Sequence, residues 1–389
     1  MPRKGAHLSM KVMILSVTAG FGHHATAKAV GDELETRGAE VRTLDVYEYI
    51  NRAVKGTIDK GYLFSSKHTK ELYRLVYALA ENHGNSYFAT PISIINVVNA
   101  LGAGKFARIV TDFNPDVLVC THIFAAQLIN EIKKRGLLTT TTIGIITDYT
   151  IHPYWEDVPY IDYVVTASEL LHHRSLKRGI ESNRLLHFGI PIHPKFNHVI
   201  DRAEACRQLN VNPDCPTILM MGGSMGYSNN KKLIQSLSTT GMDFQLLVVC
   251  GNNKRQHRDL SHTLETYNGP CTVLPYGFVN NVEVMMSAAD CIITKPGGLT
   301  VSEALAKNLP MILVNPIPGH EERNVEFLMN NGMAMLVTKT FPVDEAVYHL
   351  FKNPARLQSM RETMHAIAHP DATERLCSFI LDMPEAIRS

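Results

Sequence analysis

The feature that most constrains this chain is a repeated alternation of short apolar runs with helical patterns. Six such runs precede Pro191 and six follow it, namely KVMILSV, AEVRTLD, PDVLVC, TIGIIT, DYVVTA, RLLHFG, TILMMGG, QLLVVCG, CTVLPYG, ADCIIT, PMILVN and GMAMLV. Short apolar runs with helices between them are typical of parallel strands joined by crossover helices. The sequence therefore predicts an α/β fold with two doubly wound sheets.

The boundary between the two sets of strands falls in the stretch GIPIHPKF, residues 189–196. Prolines at 191 and 194 interrupt helices and central strands, so this stretch is the natural linker. The chain has 389 residues, which suits two domains of roughly 150 to 200 residues each. We expect domains at 1–190 and 191–389, with the C-terminal helix able to pack back on the first domain.

Composition and charge exclude several classes of protein. The formal net charge is only +1, so the chain lacks the bulk positive charge that nucleic-acid binding favours. The seven cysteines are scattered without a C-x-x-C pair, which indicates buried, reduced thiols in a cytoplasmic protein. No apolar run reaches the roughly 18 residues of a spanning helix, and the first apolar run is interpreted as a strand rather than a signal peptide.

The loop TKPGGLTVSEA at 294–304 follows a predicted strand, where ligands of doubly wound sheets bind. Gly297 and Gly298 lack side chains, so a phosphate could approach backbone N–H groups at the start of the next helix. Glu303 has two explanations. Its carboxylate could accept both hydroxyls of a ribose, or it could complete a capping box in which Thr300 is the N-cap of a helix over 300–308.

Three further loops of the second half also follow strands and contain glycine, namely MGGSMGYSNN at 221–230, VVCGNN at 248–253 and LPYGFV at 274–279. A single glycine turn is a weak signal. Several in one domain favour a nucleotide pocket, while ordinary α/β turns remain the alternative.

The first turn of the chain, TAGFGHHATAKAV at 18–30, carries a histidine at a helix start. It matches G-x-G-x-x-A from Gly20 to Ala25, so a dinucleotide site with Asp45 as the ribose acid is one interpretation. In the other, the positive end of the helix dipole keeps His23 neutral and able to accept a proton as a general base. We regard His24 as secondary.

The loop ITDYTIHPYWED at 146–157 combines polar groups with the single tryptophan of the chain. Asp148, His152 and Trp155 in such a loop suit a sugar or a lipid headgroup. A loop packed by its own aromatic side chains is the alternative.

Together these loops resemble those of family 28 glycosyltransferases, especially bacterial processive diacylglycerol glucosyltransferases and plant monogalactosyldiacylglycerol synthases. The resemblance covers most of the chain and is carried by the G-x-G-H turn, TDY…HP.W, GIPIHPKF, TKPGGLTVSEA and PIPGHEERN. It implies a GT-B fold, in which two Rossmann-like domains face a central cleft. The N-terminal domain would face the acceptor and the membrane, and the C-terminal domain would bind a UDP-sugar.

The activity that this resemblance implies is inverting transfer of a hexose from a UDP-sugar to diacylglycerol or a glycosyldiacylglycerol, with no metal ion and no cofactor. His23 would be the catalytic base with Asp148 in reserve. Gly22, His152 and Trp155 would bind the acceptor. The donor-binding set would be Gly223, Ser224, Gly251, Phe278, Gly297, Gly298, Thr300, Glu303, His320, Glu321 and Asn324.

Within that set, Gly297, Gly298 and Thr300 would hold the diphosphate, Glu303 the ribose and Phe278 the uracil through its backbone. Glu321 and Asn324 would contact the donor hexose. His320 departs from the family pattern, which has glutamine at this position. Imidazole cannot present the paired hydrogen bonds of an amide, so the sequence does not distinguish a glucose donor from a galactose donor.

Residues 51–110 are locally basic, with eight Lys and Arg against three Asp and Glu. The same segment carries the apolar runs LYRLVYALA and PISIINVVNALGAG. This combination predicts contact with an anionic membrane surface, and hence a cytoplasmic protein that is peripheral on the inner face of the cell membrane. The alternative is a helical excursion that packs on the N-terminal domain.

Other functions remain open at this stage. Within the same fold, the chain could transfer N-acetylglucosamine from its UDP derivative to a lipid-linked cell-wall precursor, or epimerise UDP-N-acetylglucosamine at carbon 2. From a different class, it could be a nucleotide-binding module without catalysis.

Overall fold

The computed structural model describes residues 9–17, 21–46, 103–222, 230–265, 267 and 269–383. They form two compact units. The N-terminal unit comprises residues 1–193 together with 371–389, and the C-terminal unit comprises residues 194–370. The chain passes from one unit to the next between His193 and Pro194, inside the proline-containing linker.

The N-terminal unit contains the strands β1 (Lys11–Ser16), β2 (Glu40–Asp45), β3 (Val117–Cys120), β4 (Thr141–Ile145), β5 (Tyr163–Val165) and β6 (Leu185–Leu186). They pair in parallel in the order β2-β1-β3-β4-β5-β6. The described helices of this unit are α1 (Phe21–Thr36), α2 (Ala103–Phe113), α3 (Ile123–Lys134), α4 (His172–Lys177) and α13 (Ala372–Leu381).

The C-terminal unit contains the strands β7 (Thr217–Met221), β8 (Gln245–Val249), β9 (Thr272–Tyr276), β10 (Cys291–Thr294), β11 (Met311–Leu313) and β12 (Ala334–Leu336). They also pair in parallel, in the order β12-β11-β10-β7-β8-β9. Its described helices are α5 (Arg202–Leu209), α6 (Asn230–Leu237), α7 (Lys254–Leu264), α8 (Val282–Ala288), α9 (Gly298–Ala306), α10 (His320–Asn330), α11 (Val343–Lys352) and α12 (Pro354–Ile367).

All twelve predicted apolar runs form strands, which confirms the expectation of two doubly wound α/β domains. β3, β4, β7, β8 and β10 are buried along their whole length. Helices on both faces of a parallel sheet remove its strands from water, which is why these runs are continuously apolar rather than alternating. Six of the seven cysteines are buried and Cys215 is half-buried, and all seven are free thiols.

The last described helix, α13, belongs to the core of the N-terminal unit. Its buried residues Leu376, Cys377 and Ile380 pack with Val12 and Ile14 of β1 and with α1 in one apolar cluster. The hydroxyl group of Thr373 donates to the carbonyl oxygen of Ile192. Arg37, which directly follows α1, donates to the Ser378 hydroxyl at 2.8 Å. Distant segments of the chain therefore build one core.

The strand orders place one switch point in each sheet. In the N-terminal unit the chain builds outward from β1 in one direction and from β3 in the other, so these neighbouring strands flank the switch point. In the C-terminal unit β7 and β10 do the same. In open α/β sheets, ligands bind beyond the carboxyl ends of the strands at such points.

The basic segment predicted to contact a membrane lies outside the described residues up to residue 102. Its remaining part belongs to α2, where Phe106 and Val110 are fully buried. Within the described ranges, none of the helices combines the length and the apolar character that crossing a bilayer would require.

Candidate functional site

His23 lies at the switch point of the N-terminal unit, in the first turn of α1. Its Nδ1 atom is 2.8 Å from the carbonyl oxygen of Thr121, the residue that follows β3. The hydroxyl oxygen of Thr147, beyond β4, lies 3.0 Å from the same Nδ1 atom. The ring is thus oriented by groups from the ends of two neighbouring strands.

These contacts determine which nitrogen of His23 carries the proton. A carbonyl oxygen can only accept a hydrogen bond, so Nδ1 is the donor in the neutral ring. The lone pair of the ring is therefore on Nε2. A neutral imidazole with this tautomer can take a proton at Nε2, as the proposed general base must.

A second histidine, His122, stands against His23 at the same edge of the sheet. The two ring centroids are 4.4 Å apart and the rings are nearly perpendicular, at 81°. Burial, with the His23 and His152 rings, lowers the pKa of His122 to about 3. The His23 and His152 rings thus both lie near His122, which is neutral at physiological pH.

The loop beyond β4 holds the other predicted residues of this unit. Asp148 and His152 are both half-buried. His152 caps the short 3-10 helix Pro153–Trp155, where its Nδ1 accepts the backbone N–H of Tyr154 at 3.2 Å. Gly22 lies in the first turn of α1 beside His23. The structure therefore brings Gly22, His23 and the β4 loop to one edge of the sheet.

Trp155 has a structural explanation. It is 4% exposed, and a Cβ atom added at Gly144 of β4 would lie 2.5 Å from Cζ3 of this indole. Gly144 thus has no side chain because the tryptophan ring packs directly on the strand. The packed-loop interpretation accounts for Trp155 without an acceptor, and a role in acceptor binding remains a prediction.

In the C-terminal unit, the Pro-Gly-Gly loop follows β10 at the switch point, and α9 begins at Gly298 with Gly297 as its N-cap. The predicted helix over 300–308 therefore started too late. Thr300 is the third residue of α9 rather than its N-cap, and no side chain caps this helix. The capping-box explanation of Glu303 is wrong, because Glu303 lies on the second helical turn.

Gly297 lies directly beside two of the predicted donor-binding residues. A Cβ atom at Gly297 would meet only Oε1 of Glu321, at 3.9 Å, among the described residues. Asn324 is fully buried and its side-chain amide donates to the carbonyl oxygen of Pro296 at 2.9 Å. Glu321, 6% exposed, accepts the backbone N–H of Ile317. α10 therefore holds both the loop that contains Gly297 and the loop that precedes α10 itself.

Glu303 is half-buried and lies near an ion pair. Burial raises the pKa of its carboxyl group to about 8, with Lys195 opposing this rise and Glu283 adding to it. Lys195 Nζ is 2.6 Å from Oε2 of Glu283. The raised pKa favours the protonated form of the Glu303 carboxyl group.

Gly251 and Phe278 line a common pocket of about 500 Å³. The ring of Phe278 is 62% exposed. The rest of the lining consists of Gly277 beyond β9 and of residues beyond β8, namely Asn252, Lys254, His257 and Arg258. A flat aromatic ring beside cationic groups suits a base with a nearby anionic group.

Gly223 and Ser224 lie outside the described residues, as does the side chain of His320. The backbone of His320 begins α10, after Gly319 with φ of +97°. Among the described side chains, no three of His, Cys, Asp and Glu are grouped as a metal site requires.

Sequence reasoning missed His122, Thr147 and the cations of α7. His122 stands two residues after the PDVLVC run, so inspection of every strand end, rather than of glycine-containing ones, would have found it. Lys254, His257 and Arg258 are visible in the sequence NNKRQHR directly after Gly251. Thr147 gives no signal, because a threonine at a strand end is ordinary.

Comparison with known protein families gives two matches that together span most of the chain. Residues 23–192 match the model of monogalactosyldiacylglycerol (MGDG) synthase. Residues 217–376 match the model of the glycosyltransferase family 28 C-terminal domain. The first match lies within the N-terminal unit, and the second lies in the C-terminal unit except for its last six residues.

Curated relatives align over nearly the full length. The processive diacylglycerol beta-glucosyltransferase of Bacillus licheniformis is 28% identical, covering 97% of this chain and 96% of the relative. The protein of the same name from Bacillus pumilus is 26% identical over the same shares of both chains.

Among solved structures, MurG of Acinetobacter baumannii superposes with a TM-score of 0.65 at 19% sequence identity, covering 97% of this chain and 100% of that one. At this identity the likeness concerns the fold. It supports the GT-B architecture that the sequence resemblance implied.

Proposed function

We propose that this chain transfers a hexose from a UDP-sugar to diacylglycerol or a glycosyldiacylglycerol, because residues 23–192 match the monogalactosyldiacylglycerol (MGDG) synthase model and residues 217–376 match the glycosyltransferase family 28 C-terminal domain. The relatives that align over nearly the whole chain are named for processive glucosyl transfer to diacylglycerol. They favour this reaction over transfer to a cell-wall precursor, epimerisation or simple nucleotide binding.

The proposed mechanism depends on the tautomer of His23, which follows from its contact with the Thr121 carbonyl. With Nδ1 donating to the Thr121 carbonyl, Nε2 receives the proton of the acceptor hydroxyl as the oxygen attacks the anomeric carbon of the donor. The new bond joins this oxygen to the anomeric carbon, and the bond from that carbon to UDP breaks. Attack opposite the leaving group inverts the anomeric configuration. A base of this kind typically contributes a factor of about 10² to 10⁴ in rate.

The leaving UDP carries away negative charge, which the C-terminal unit can stabilise. The first N–H groups of α9, at Gly298, Leu299 and Thr300, have no acceptor within the helix and lie at its positive end. Gly297 leaves the approach to them open. Charge stabilisation of this kind replaces a general acid at the leaving group, so we propose a reaction without a metal ion or cofactor.

We also propose that the acceptor is reached from an anionic membrane surface on the cytoplasmic side, through the basic and apolar segment at 51–110. The support for this step is the sequence of the segment, eight Lys and Arg against three acidic residues among apolar runs. Juxtamembrane cations near an anionic surface contribute about 1 kcal/mol each.

The test is incubation of the purified chain with a panel of UDP-hexoses and diacylglycerol vesicles, followed by lipid chromatography and mass spectrometry. We expect a hexosyl lipid from one of the donors, and added chelator should not reduce its formation. Conversion of a nucleotide sugar without any lipid would instead indicate an epimerase. UDP binding without turnover of any donor would indicate a binding module.

A further inference from the structure

His122 was not predicted from the sequence and has no role in the mechanism above, yet it lies against the proposed base. Its ring centroid is 4.4 Å from that of His23. It follows β3, one of the two strands at the switch point. A polar ring in this position is close enough to contact a molecule that binds at His23.

The hydrogen bonding of His122 determines its tautomer. His122 is the N-cap of α3, in extended backbone conformation, and its Nδ1 accepts the backbone N–H of Phe124 at 3.0 Å. A backbone N–H can only donate, so Nδ1 of His122 carries the lone pair. Since the neighbouring imidazoles and burial keep this ring neutral, its proton is on Nε2.

The two rings therefore have opposite tautomers. His23 donates from Nδ1 to the Thr121 carbonyl and has its lone pair on Nε2. His122 accepts at Nδ1 and has its N–H on Nε2. The His23 ring can take a proton and the His122 ring can donate a hydrogen bond. Such a pair of rings suits a molecule that has a hydroxyl group beside a second oxygen.

We propose that His122 is an acceptor-binding residue whose Nε2–H donates to the ester carbonyl oxygen adjacent to the attacking hydroxyl of a diacylglycerol. This inference rests on the proposed function. Donation to the attacking oxygen itself would withdraw electron density from the nucleophile and slow the reaction. Donation to the neighbouring carbonyl instead fixes the glycerol backbone so that the hydroxyl meets Nε2 of His23.

The inference predicts how the wild-type protein distinguishes acceptors. A 1,2-dialkylglycerol keeps the hydroxyl and the chains but has methylene groups in place of both ester carbonyls, so that only ether oxygens remain, and these accept hydrogen bonds weakly. We expect kcat/KM for the dialkyl acceptor to be about two- to tenfold lower than for the matched diacyl acceptor, the range for one neutral hydrogen bond. This measurement requires no variant.

The variant His122→Ser tests whether His122 causes this difference in kcat/KM between the two acceptors. Serine is a good N-cap, so α3 keeps its first hydrogen bond while the ring donor is lost. We expect His122→Ser to lose about two- to tenfold in kcat/KM with diacylglycerol and to show almost no preference between the two acceptors. His173→Ser, at an exposed histidine of α4, should behave as the wild type.

Equal kcat/KM of the wild type with both acceptors would overturn the inference, as would a His122→Ser protein that keeps the wild-type ester preference. If the proposed function itself is wrong, the result is distinguishable, because the wild type would then transfer hexose to neither acceptor. Thermal melting of His122→Ser shows whether its fold is intact.

Discussion

The Nδ1 atom of His23 lies 2.8 Å from the carbonyl oxygen of Thr121, and this single contact links the start of α1 to the end of β3 at the switch point of the N-terminal sheet. It holds the imidazole in the tautomer that a base acting through Nε2 needs. A base oriented by a backbone carbonyl requires no carboxylate partner to choose its tautomer.

Replacement of His23 by alanine should reduce hexose transfer by at least about a hundredfold, because no other group then takes the proton of the acceptor hydroxyl. UDP affinity, measured by calorimetry, should stay close to wild type, since the predicted donor residues lie in the C-terminal unit. His24→Ala, at the exposed neighbouring position, is the matched control. If the large loss occurs in Asp148→Ala instead, the base is Asp148.

Thr147→Val should lower kcat by about two- to tenfold, the effect of one neutral hydrogen bond of about 0.5 to 1.5 kcal/mol. The Thr147 hydroxyl lies 3.0 Å from Nδ1 of His23, while the Thr121 carbonyl still orients the ring. Thr147→Ser keeps the hydroxyl and should retain wild-type kcat in steady-state assays. An unchanged kcat in the valine variant would show that the carbonyl alone suffices.

Two glycine-to-alanine changes should differ in their effect on the free energy of unfolding. At Gly144 the new methyl group would meet the Trp155 ring at 2.5 Å, so we expect destabilisation by about 1 to 3 kcal/mol in denaturant unfolding. At Gly297 it would meet, among the described residues, only Glu321 Oε1, at 3.9 Å, so the free energy of unfolding should change by less than about 0.5 kcal/mol.

For Gly297→Ala we nevertheless expect UDP affinity to fall at least about tenfold, roughly 1.4 kcal/mol, because the methyl group would occupy the approach of the diphosphate to the N-terminus of α9. Retained UDP affinity in this folded variant would place the diphosphate elsewhere.

UDP affinity should rise with pH through the titration of Glu303, whose pKa is raised to about 8. Only the deprotonated carboxylate accepts both ribose hydroxyls. Glu303→Ala should cost about 1.5 to 3 kcal/mol of binding at high pH, the range for a charged hydrogen-bonding partner. Glu303→Gln should remove this part of the pH dependence and leave that of the UDP phosphate itself, so identical calorimetric profiles would exclude Glu303 from the ribose site.

The same titration should affect stability in the opposite direction. The folded pKa of Glu303 lies above its ordinary value of 4.5, so the folded protein binds more protons than the unfolded chain between these values. The stability that Glu303 contributes through this titration is fully present below pH 4.5. The free energy of unfolding then falls as the pH rises through about 8. Urea unfolding at several pH values should show this loss in the wild type and not in Glu303→Gln.

Binding to vesicles should depend on anionic lipid and weaken with salt, because each well-placed Lys or Arg of residues 51–110 is worth about 1 kcal/mol at the surface. Co-sedimentation with vesicles of defined composition measures this. Equal binding to neutral and anionic vesicles would contradict the electrostatic part of the proposal.

Every strand of the described residues was predictable from the sequence. Most of them are buried on both faces of a parallel sheet, which requires continuous apolar runs, although β2 and β9 are only partly buried. The start of α9 was not predictable. Thr300 with Glu303 matches a capping box, yet the helix begins at Gly298, where the local pattern gives no side-chain cap. Helix ends depend on how the preceding loop is held, here by Asn324 and the Pro296 carbonyl.

The candidate site was predictable only in part, for a related reason. His23 stands at a recognisable glycine turn, whereas its contacts with Thr121 and Thr147 come from residues 98 and 124 positions away in sequence. The tautomers of His23 and His122 depend on such partners, so a single sequence cannot assign them. The sequence could not decide the role of Trp155, because an aromatic ring in a polar loop suits a ligand site and a packed core equally well.

The return of α13 to the N-terminal unit also determines when each unit can mature on the ribosome. Residues 194–370 emerge before residues 371–383, so the C-terminal sheet has all of its strands while the apolar cluster of β1 and α1 still lacks Leu376 and Ile380. A chain that ends near residue 370 would therefore have every segment of the C-terminal unit, while its N-terminal unit would leave an apolar face uncovered, which is a target for chaperones. Translation thus supplies all residues of the C-terminal unit before the last residues of the N-terminal unit.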